Sequence, residues 1–338
     1  MKYLVVAICF LSCLISHVSA QQSPAGDAKA WKRYQSAGEK ALKANDSLEA
    51  ERQFALAVAE AEKIRKGESK LRESLDDLAP LLVNHRKYEA GQAAFERLHD
   101  LYVKDLGSNH LRIAECLLGL ASAYRYGKRL FEAEDALLRA TVIIERKTEP
   151  TDGWRIHVKA GLATIYAEQG RLSEAEGIYK SAIELAEHPR IHYKYYADGE
   201  IQGHRYLPPY HLLGGLQNGL GLVYGAQQRW AEAEACFNRS QRFYQQGGGK
   251  ESSGVALAMA NRGAAYLQQK KFPEAEELLA RAVALREKVF TPNHPIIAET
   301  IELLAEAQQH RDPELAKATL KRAQQIRAAA PTHLNDRE

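Results

Sequence analysis

One phrase returns along this chain at a spacing too steady to be chance. Four close copies stand at Phe131-Glu132-Ala133-Glu134, Ser173-Glu174-Ala175-Glu176, Ala231-Glu232-Ala233-Glu234 and Pro273-Glu274-Ala275-Glu276, and a looser one at Leu48-Glu49-Ala50-Glu51. Gly91 and Ala316 hold the central place in two degenerate copies. The anchors 50, 91, 133, 175, 233, 275 and 316 are separated by 41, 42, 42, 58, 42 and 41 residues. A period of this length marks a chain built by stacking one supersecondary unit, none of which can bury its apolar face alone.

Each unit reads as two helices. Four residues after the anchor comes a bulky side chain (Phe54, Phe95, Leu137, Tyr179, Phe237, Leu279, Leu320), and seven after it usually a small one such as Ala57, Ala140 or Ser240, with Leu98 the exception. That is one buried stripe at helical spacing. Twelve residues before the anchor another helix carries Gly38, Ala79, Ala121, Ala163, Gly221 and Gly263, and three residues later Ala41, Leu82, Tyr124, Tyr166, Tyr224 and Tyr266. Small residues let two helix backbones approach, and the bulky residue of the neighbouring turn fills the space beside them.

Small residues at positions 8, 20 and 27 of a helical hairpin, with bulky ones at 11 and 24, resemble the tetratricopeptide repeat, from about residue 31 to about residue 325. The period is longer than the usual 34, and with the Asn109-His110 and Asn293-His294-Pro295 junctions it is similar to the kinesin-light-chain subgroup. The resemblance implies an all-α, right-handed solenoid of about seven helix-turn-helix repeats whose first helices line a concave groove for peptides or partner helices. It also implies groove-facing asparagines. The matching places here hold Ser36, Asp77, Gly119, Gly161, Gly219 and once Asn261, so a peptide clamp of that kind is not expected.

The first twenty residues read as an export signal: Lys2, an apolar run from Leu4 to Ile15, then Val18-Ser19-Ala20 before Gln21. A membrane anchor is the alternative, but the run is short for a span. Residues 21–30 are then a linker, 31–325 the solenoid and 326–338 a polar tail. Without residues 1–20 the charge is 45 basic against 43 acidic residues, a balance that argues against a nucleic-acid partner. No later segment has the apolar length of a membrane span. Cys116 and Cys236, two repeats apart on different helices, are expected to stay unpaired, since a bridge needs Cα atoms within about 7 Å.

The 58-residue step contains an insert within residues 186–211 that holds four histidines and five tyrosines together with Pro189, Pro208 and Pro209. It is expected to be an aromatic loop. Tyr193, Tyr195, Tyr196, Tyr206 and Tyr210 either recognise a partner, as aromatic loops on rigid scaffolds do, or fold back over the helices. His188, His192, His204 and His211 lack the spacing and companions of a metal site, and neither metal nor cofactor is expected. The helix that follows carries Gly214, Gly215, Gly219, Gly221 and Gly225. Such a helix is intrinsically weak, which calls for a compensating ligand, a close approach of the insert, a hinge, or tight packing of a neighbouring helix.

No phosphate loop, nucleophile elbow or metalloprotease helix is present in the sequence. The chain therefore reads as an exported scaffold for a protein or peptide partner, using the groove, the insert or both, and not as an enzyme. A structural subunit of an envelope or secretion assembly is the alternative, and a His/Tyr active site in the insert the weaker one. The candidate partner-binding residues are Tyr193, Tyr195, Tyr196, His204, Tyr206, Tyr210, Asn218 and Asn261, together with Arg262, which replaces an apolar or small residue of the other repeats.

Overall fold

The computed structural model describes residues 26–44, 46–148, 153–187, 193–197, 200–205 and 210–329. Residues 1–20, where the export signal is read, and Tyr206, His188 and His192 lie outside them. The chain divides into two compact units, Met1–Leu78 and Ala79–Glu338.

In the first unit α1 (Ala28–Lys43) and α2 (Ser47–Ala61) form a hairpin, and α3 (Glu68–Asn84) begins. Asp27 and Asp46 cap α1 and α2, accepting from the backbone N–H of Lys29 and Glu49 at 2.8 and 3.0 Å. A Cβ on Gly38 would lie within 2.6–2.8 Å of the Phe54 ring, so the small residue read from the sequence is what lets α1 and α2 close. Trp31 donates to Ser74 Oγ at 3.0 Å, Ser74 donates to Gln35 Oε1 at 2.9 Å and Gln35 donates to Asp77 at 2.6 Å, which satisfies the polar groups buried between α1 and α3.

The second unit continues with α4 (Tyr88–Leu106), α5 (Leu111–Tyr126), α6 (Leu130–Lys147), α7 (Gly153–Glu168), α8 (Leu172–Glu187), α9 (Tyr210–Ala226), α10 (Trp230–Gly248), α11 (Ser253–Gln268), α12 (Phe272–Val289), α13 (Pro295–Gln308) and α14 (Pro313–Ala329). Among the described residues the fourteen helices form seven hairpins, one for each anchor. Ala133, Ala175, Ala233 and Ala275 are completely buried. Five of the seven hairpins share a further local rule at the turn, and the insert departs from the loop expected there.

The turn inside the hairpin needs a left-handed residue five before the anchor. Arg86, Lys128, Gln228 and Lys270 adopt φ of 62°, 61°, 61° and 58° there, and Gly170 adopts 80°. In the insert, β1 (Tyr193–Ala197) pairs antiparallel with β2 (Glu200–Arg205), with a register irregularity between Tyr195 and Tyr196. The expectation of an irregular loop is thus corrected: the aromatic run has strand propensity, and it pairs locally with the segment that follows.

First helices of the second unit touch one another across successive repeats (α5 with α7, α7 with α9, α9 with α11, α11 with α13), whereas second helices make no comparable contact. The stack of this unit therefore curves with its first helices inside. The curvature brings the turn before α4 back towards α13, where Arg86 Nη2 lies 3.9 Å from Glu299.

Candidate functional site

The inner wall is defined by which side of each first helix the second helices occupy. Fourteen residues before the anchor, a Cβ on Gly119, Gly161 or Gly219 would meet Phe95, Leu137 or Tyr179 of the preceding second helix within 2.3–2.9 Å. Twelve before it, a Cβ on Gly221 or Gly263 would meet Phe237 or Leu279 of its own hairpin within 2.6–2.7 Å. The bulky residue four after the anchor thus packs against the first helix of its own hairpin in some repeats and against that of the next hairpin in others. Leu120, Leu162 and Leu220, thirteen before the anchor, are buried between these directions. At 100° per residue, positions eighteen, fifteen and eleven before the anchor face the other way, onto the wall.

On α5 these are Glu115, Leu118 and Ser122; on α7, His157, Ala160 and Thr164. On α9 they are Gly215, Asn218 and Leu222; on α11, Leu257, Ala260 and Ala264. One of the twelve carries a formal charge, Glu115, and Arg112 donates to it at 2.8 Å. In a chain that is 26% charged, the wall is a nearly neutral strip in which small residues alternate with leucines, with Leu222 half exposed on it. β1 runs beside α7.

The glycine positions where the resemblance implied groove-facing asparagines therefore do not face a groove; they receive the preceding second helix. Asn218 and Asn261 bond each other, Asn261 Nδ2 donating to Asn218 Oδ1 at 2.9 Å, which ties α11 to α9. The pairing has the same register as the Gln35-to-Asp77 bond of the first unit, since the two pairs occupy the same positions relative to their anchors. Asn218 is buried.

Of the alternatives open for the glycine-rich α9, tight packing of neighbouring helices accounts for three of its five glycines. Tyr244 lies over Gly214, Tyr179 over Gly219 and Phe237 over Gly221, each with an atom within 2.9 Å of an added Cβ. Gly215 and Gly225 have ordinary room. At the end of the insert Tyr210 stacks on Phe243 with ring centroids 6.4 Å apart, and His211 packs against Tyr244 at 6.2 Å, so these two side chains cover α10. Tyr193, Tyr195, Tyr196 and His204 are placed on the two strands by their backbone. Among the described residues no three His, Cys, Asp or Glu side chains are grouped to hold a metal ion, and no helix is long and apolar enough to cross a membrane.

Sequence reading missed the purpose of the glutamates in the repeated phrase. The first of them binds the arginine at the turn of its own hairpin: Arg129, Arg171 and Arg229 each donate to Glu132, Glu174 and Glu232. The second receives the arginine of the next hairpin, Arg171 donating to Glu134 at 2.8 Å, Arg229 to Glu176 at 2.7 Å and Arg311 to Glu276 at 2.6 Å. Arg129, Arg171 and Arg229 also lie over a tyrosine of their own first helix, Arg171 at 3.7 Å from the Tyr166 ring centroid and Arg229 at 4.2 Å from that of Tyr224. The signal was present in three repeats as an arginine four before the anchor (Arg129, Arg171 and Arg229), but pairing it with the previous repeat requires the stacking geometry.

Cys116 and Cys236 are buried on α5 and α10 and are not joined in a disulfide, and burial pushes the Cys236 thiol up to about 11. Arg262 Nη1 donates to Asn238 Oδ1 and its guanidinium stands 5.8 Å from the Tyr266 ring centroid, so it is engaged with α10 and not with the wall.

A curved stack of helical hairpins closed by small residues, tied by arginine–glutamate clamps and presenting a neutral inner wall defines a helical-repeat scaffold. The chain belongs to the tetratricopeptide repeat family, whose profile matches residues 117–188, 212–288 and 255–329. Proteins of this family bind protein partners. Among solved structures the chain is similar to BtubC (BKLC) from P. vanneervenii, with 20% identity over 72% of this chain and 91% of that one and a TM-score of 0.55. It is similar also to aspartyl phosphate phosphatase F from Bacillus subtilis, with 13% identity over 88% and 70% and a TM-score of 0.64, and to the apo form of RapI, with 12% identity over 88% and 97% and a TM-score of 0.62. At these identities the likeness is one of fold. No match was found among curated proteins.

Proposed function

We propose that this protein is an exported scaffold that holds a protein partner against the inner wall of α5, α7, α9 and α11. The observation that carries the reading is the wall itself: twelve positions with one formal charge among them, of which Asn218 and Ala260 are buried, on helices whose opposite faces receive the second helices. Small neutral side chains let a partner backbone or helix approach closely, and desolvating them costs little. β1 beside α7 brings the insert to one of the wall's helices, from which it contributes contacts to the same partner. The role is binding without catalysis.

Export rests on Lys2, the apolar run and Val18-Ser19-Ala20. The amino terminus of protein recovered outside the cytoplasm is expected to be Gln21; full-length protein held in the cytosol overturns that part. For the wall, Leu222→Asp places a charge at its half-exposed centre. Recovery of the partner from an extract of the producing cells is expected to fall at least tenfold with the melting temperature unchanged. Undiminished recovery would move the binding surface elsewhere.

A further inference from the structure

On the outer side, second helices of successive repeats are separated by a groove whose floor is the first helix between them. Two of these grooves, one repeat apart, differ in chemistry. The first lies between α8 and α10 over α9, encloses ≈ 610 Å³, and has Glu184, Glu187 and Glu232 beside Lys180 and Arg239, with Leu220 on its floor. The second lies between α10 and α12 over α11 and encloses ≈ 230 Å³. In the repeat register Arg242 stands where the first groove has Glu184, and Arg262 where it has Leu220. Arg281 corresponds to Arg239 and remains basic.

The second groove is therefore lined by three guanidiniums together with the amides of Asn238, Gln241 and Gln245 and the apolar Leu278; no carboxylate lines it. Arg281 keeps a loose 3.8 Å contact with Glu277 on its exposed side. Arg262 occupies the position that is leucine in the three preceding repeats of the second unit, Leu120, Leu162 and Leu220, all buried. Its Nη1 is taken by Asn238, while its Nε is buried and has no hydrogen-bond partner. An arginine cannot shed its charge, and a buried guanidinium N–H without an acceptor is costly, so such a group in a native fold calls for a missing acceptor.

We propose that this groove binds a small oxyanion, the phosphate or carboxylate of a ligand or partner, with Arg262 gripping it from the floor and Arg242 and Arg281 closing from the walls. Guanidinium N–H groups match the two oxygens of such an anion in a bidentate pair, and the amides supply further donors. The volume admits one anionic group and not an extended chain. This site lies on the opposite side of α11 from the inner wall, so its occupancy and the scaffold role stand or fall separately.

The test is calorimetric titration of inorganic phosphate, and separately of succinate, into the purified protein at constant ionic strength and neutral pH. Saturable binding of at least one, with one site per chain, is expected. Arg262→Leu restores the residue of the preceding repeats and is expected to weaken binding at least tenfold while the protein still melts cooperatively. Arg242→Ala with Arg281→Ala, at the exposed rim, is expected to do the same and serves if the floor variant fails to fold. Phosphate alone binding assigns a phosphoryl group, and succinate alone a carboxylate. No saturable binding of either anion, or binding that survives loss of the arginines, overturns the proposal.

Discussion

At the scale of single residues, the five glycines of α9 separate into two kinds. Gly219 has Tyr179 within 2.5 Å of an added Cβ, and that ring is itself fixed, 5% exposed with its hydroxyl 2.9 Å from Thr164 Oγ1. Gly219→Ala is expected to destabilise by about 1–2 kcal/mol, since overpacking outweighs the gain in helix propensity. Gly215 meets nothing closer than the Tyr244 hydroxyl at 3.6 Å, so Gly215→Ala is expected to stabilise by up to about 1 kcal/mol. Urea denaturation of the two variants checks the pair, and equal effects would mean that α9 does not pack as described. The turn residues give a second contrast. Lys128, Gln228 and Lys270 hold a left-handed φ that glycine adopts without cost, as Gly170 does. Each change to glycine is expected to raise stability by about 0.5–1 kcal/mol in the same assay.

At two helix ends a histidine cap is expected to make stability depend on pH. The Asn-His junctions place His110 and His294 as N-caps of α5 and α13, where Nδ1 accepts from the backbone N–H of Arg112 and Ile296, both at 3.2 Å. A protonated ring has no lone pair for this bond. Burial, and then the nearby cations Arg112 and Lys147 for His110 and Arg86 for His294, lower both pKa values below the ordinary histidine value. Because the folded pKa is depressed, the unfolded chain binds more protons. The caps therefore contribute fully above the unfolded value of about 6.5, and their contribution is lost as pH falls through the folded values. The melting temperature is expected to fall between pH 7.5 and pH 5, and His110→Asn with His294→Asn, which keeps an uncharged capping oxygen, is expected to flatten the slope. An unchanged slope would assign the pH response to other groups. Element-scale logic also accounts for the repeated phrase: the alanine is completely buried, one flanking glutamate holds its own turn and the other holds the next hairpin.

For the whole molecule, the question is whether the insert supports the stack or serves the partner. The rings that fill α9 come from Tyr179, Tyr244 and Phe237, none of which belongs to residues 186–211. Replacing the hairpin and its flanks, residues 188–209, by a short polar linker keeps Tyr210 on Phe243 and His211 on Tyr244. The variant is expected to melt cooperatively within a few degrees of the parent and to lose partner recovery. Collapse of cooperativity would make the hairpin a structural cover, and unchanged recovery would leave the inner wall as the binding surface without it. Loop length itself is a minor factor, because closure entropy changes slowly with the number of residues.

The repeat register, the hairpin in each repeat, the small residues at the helix crossings and the position of the insert were all legible in the sequence, because close packing demands a small side chain wherever two backbones approach and the period places those demands in order. Arg262 was legible as an exception for the same reason: it breaks the period. What the sequence left undecided was direction. Whether Gly119, Gly161 and Gly219 open onto a groove or receive a ring depends on which side of the first helix the previous hairpin stacks, and residues from Phe95, Leu137 and Tyr179 settle that only once the hairpins are assembled. The glutamate that binds the arginine 37 residues later, Glu134 to Arg171, and the asparagine that meets its counterpart 43 residues away, Asn218 to Asn261, are likewise properties of the stack, since each side chain finds its partner through the packing of a neighbouring repeat and not through its own helix.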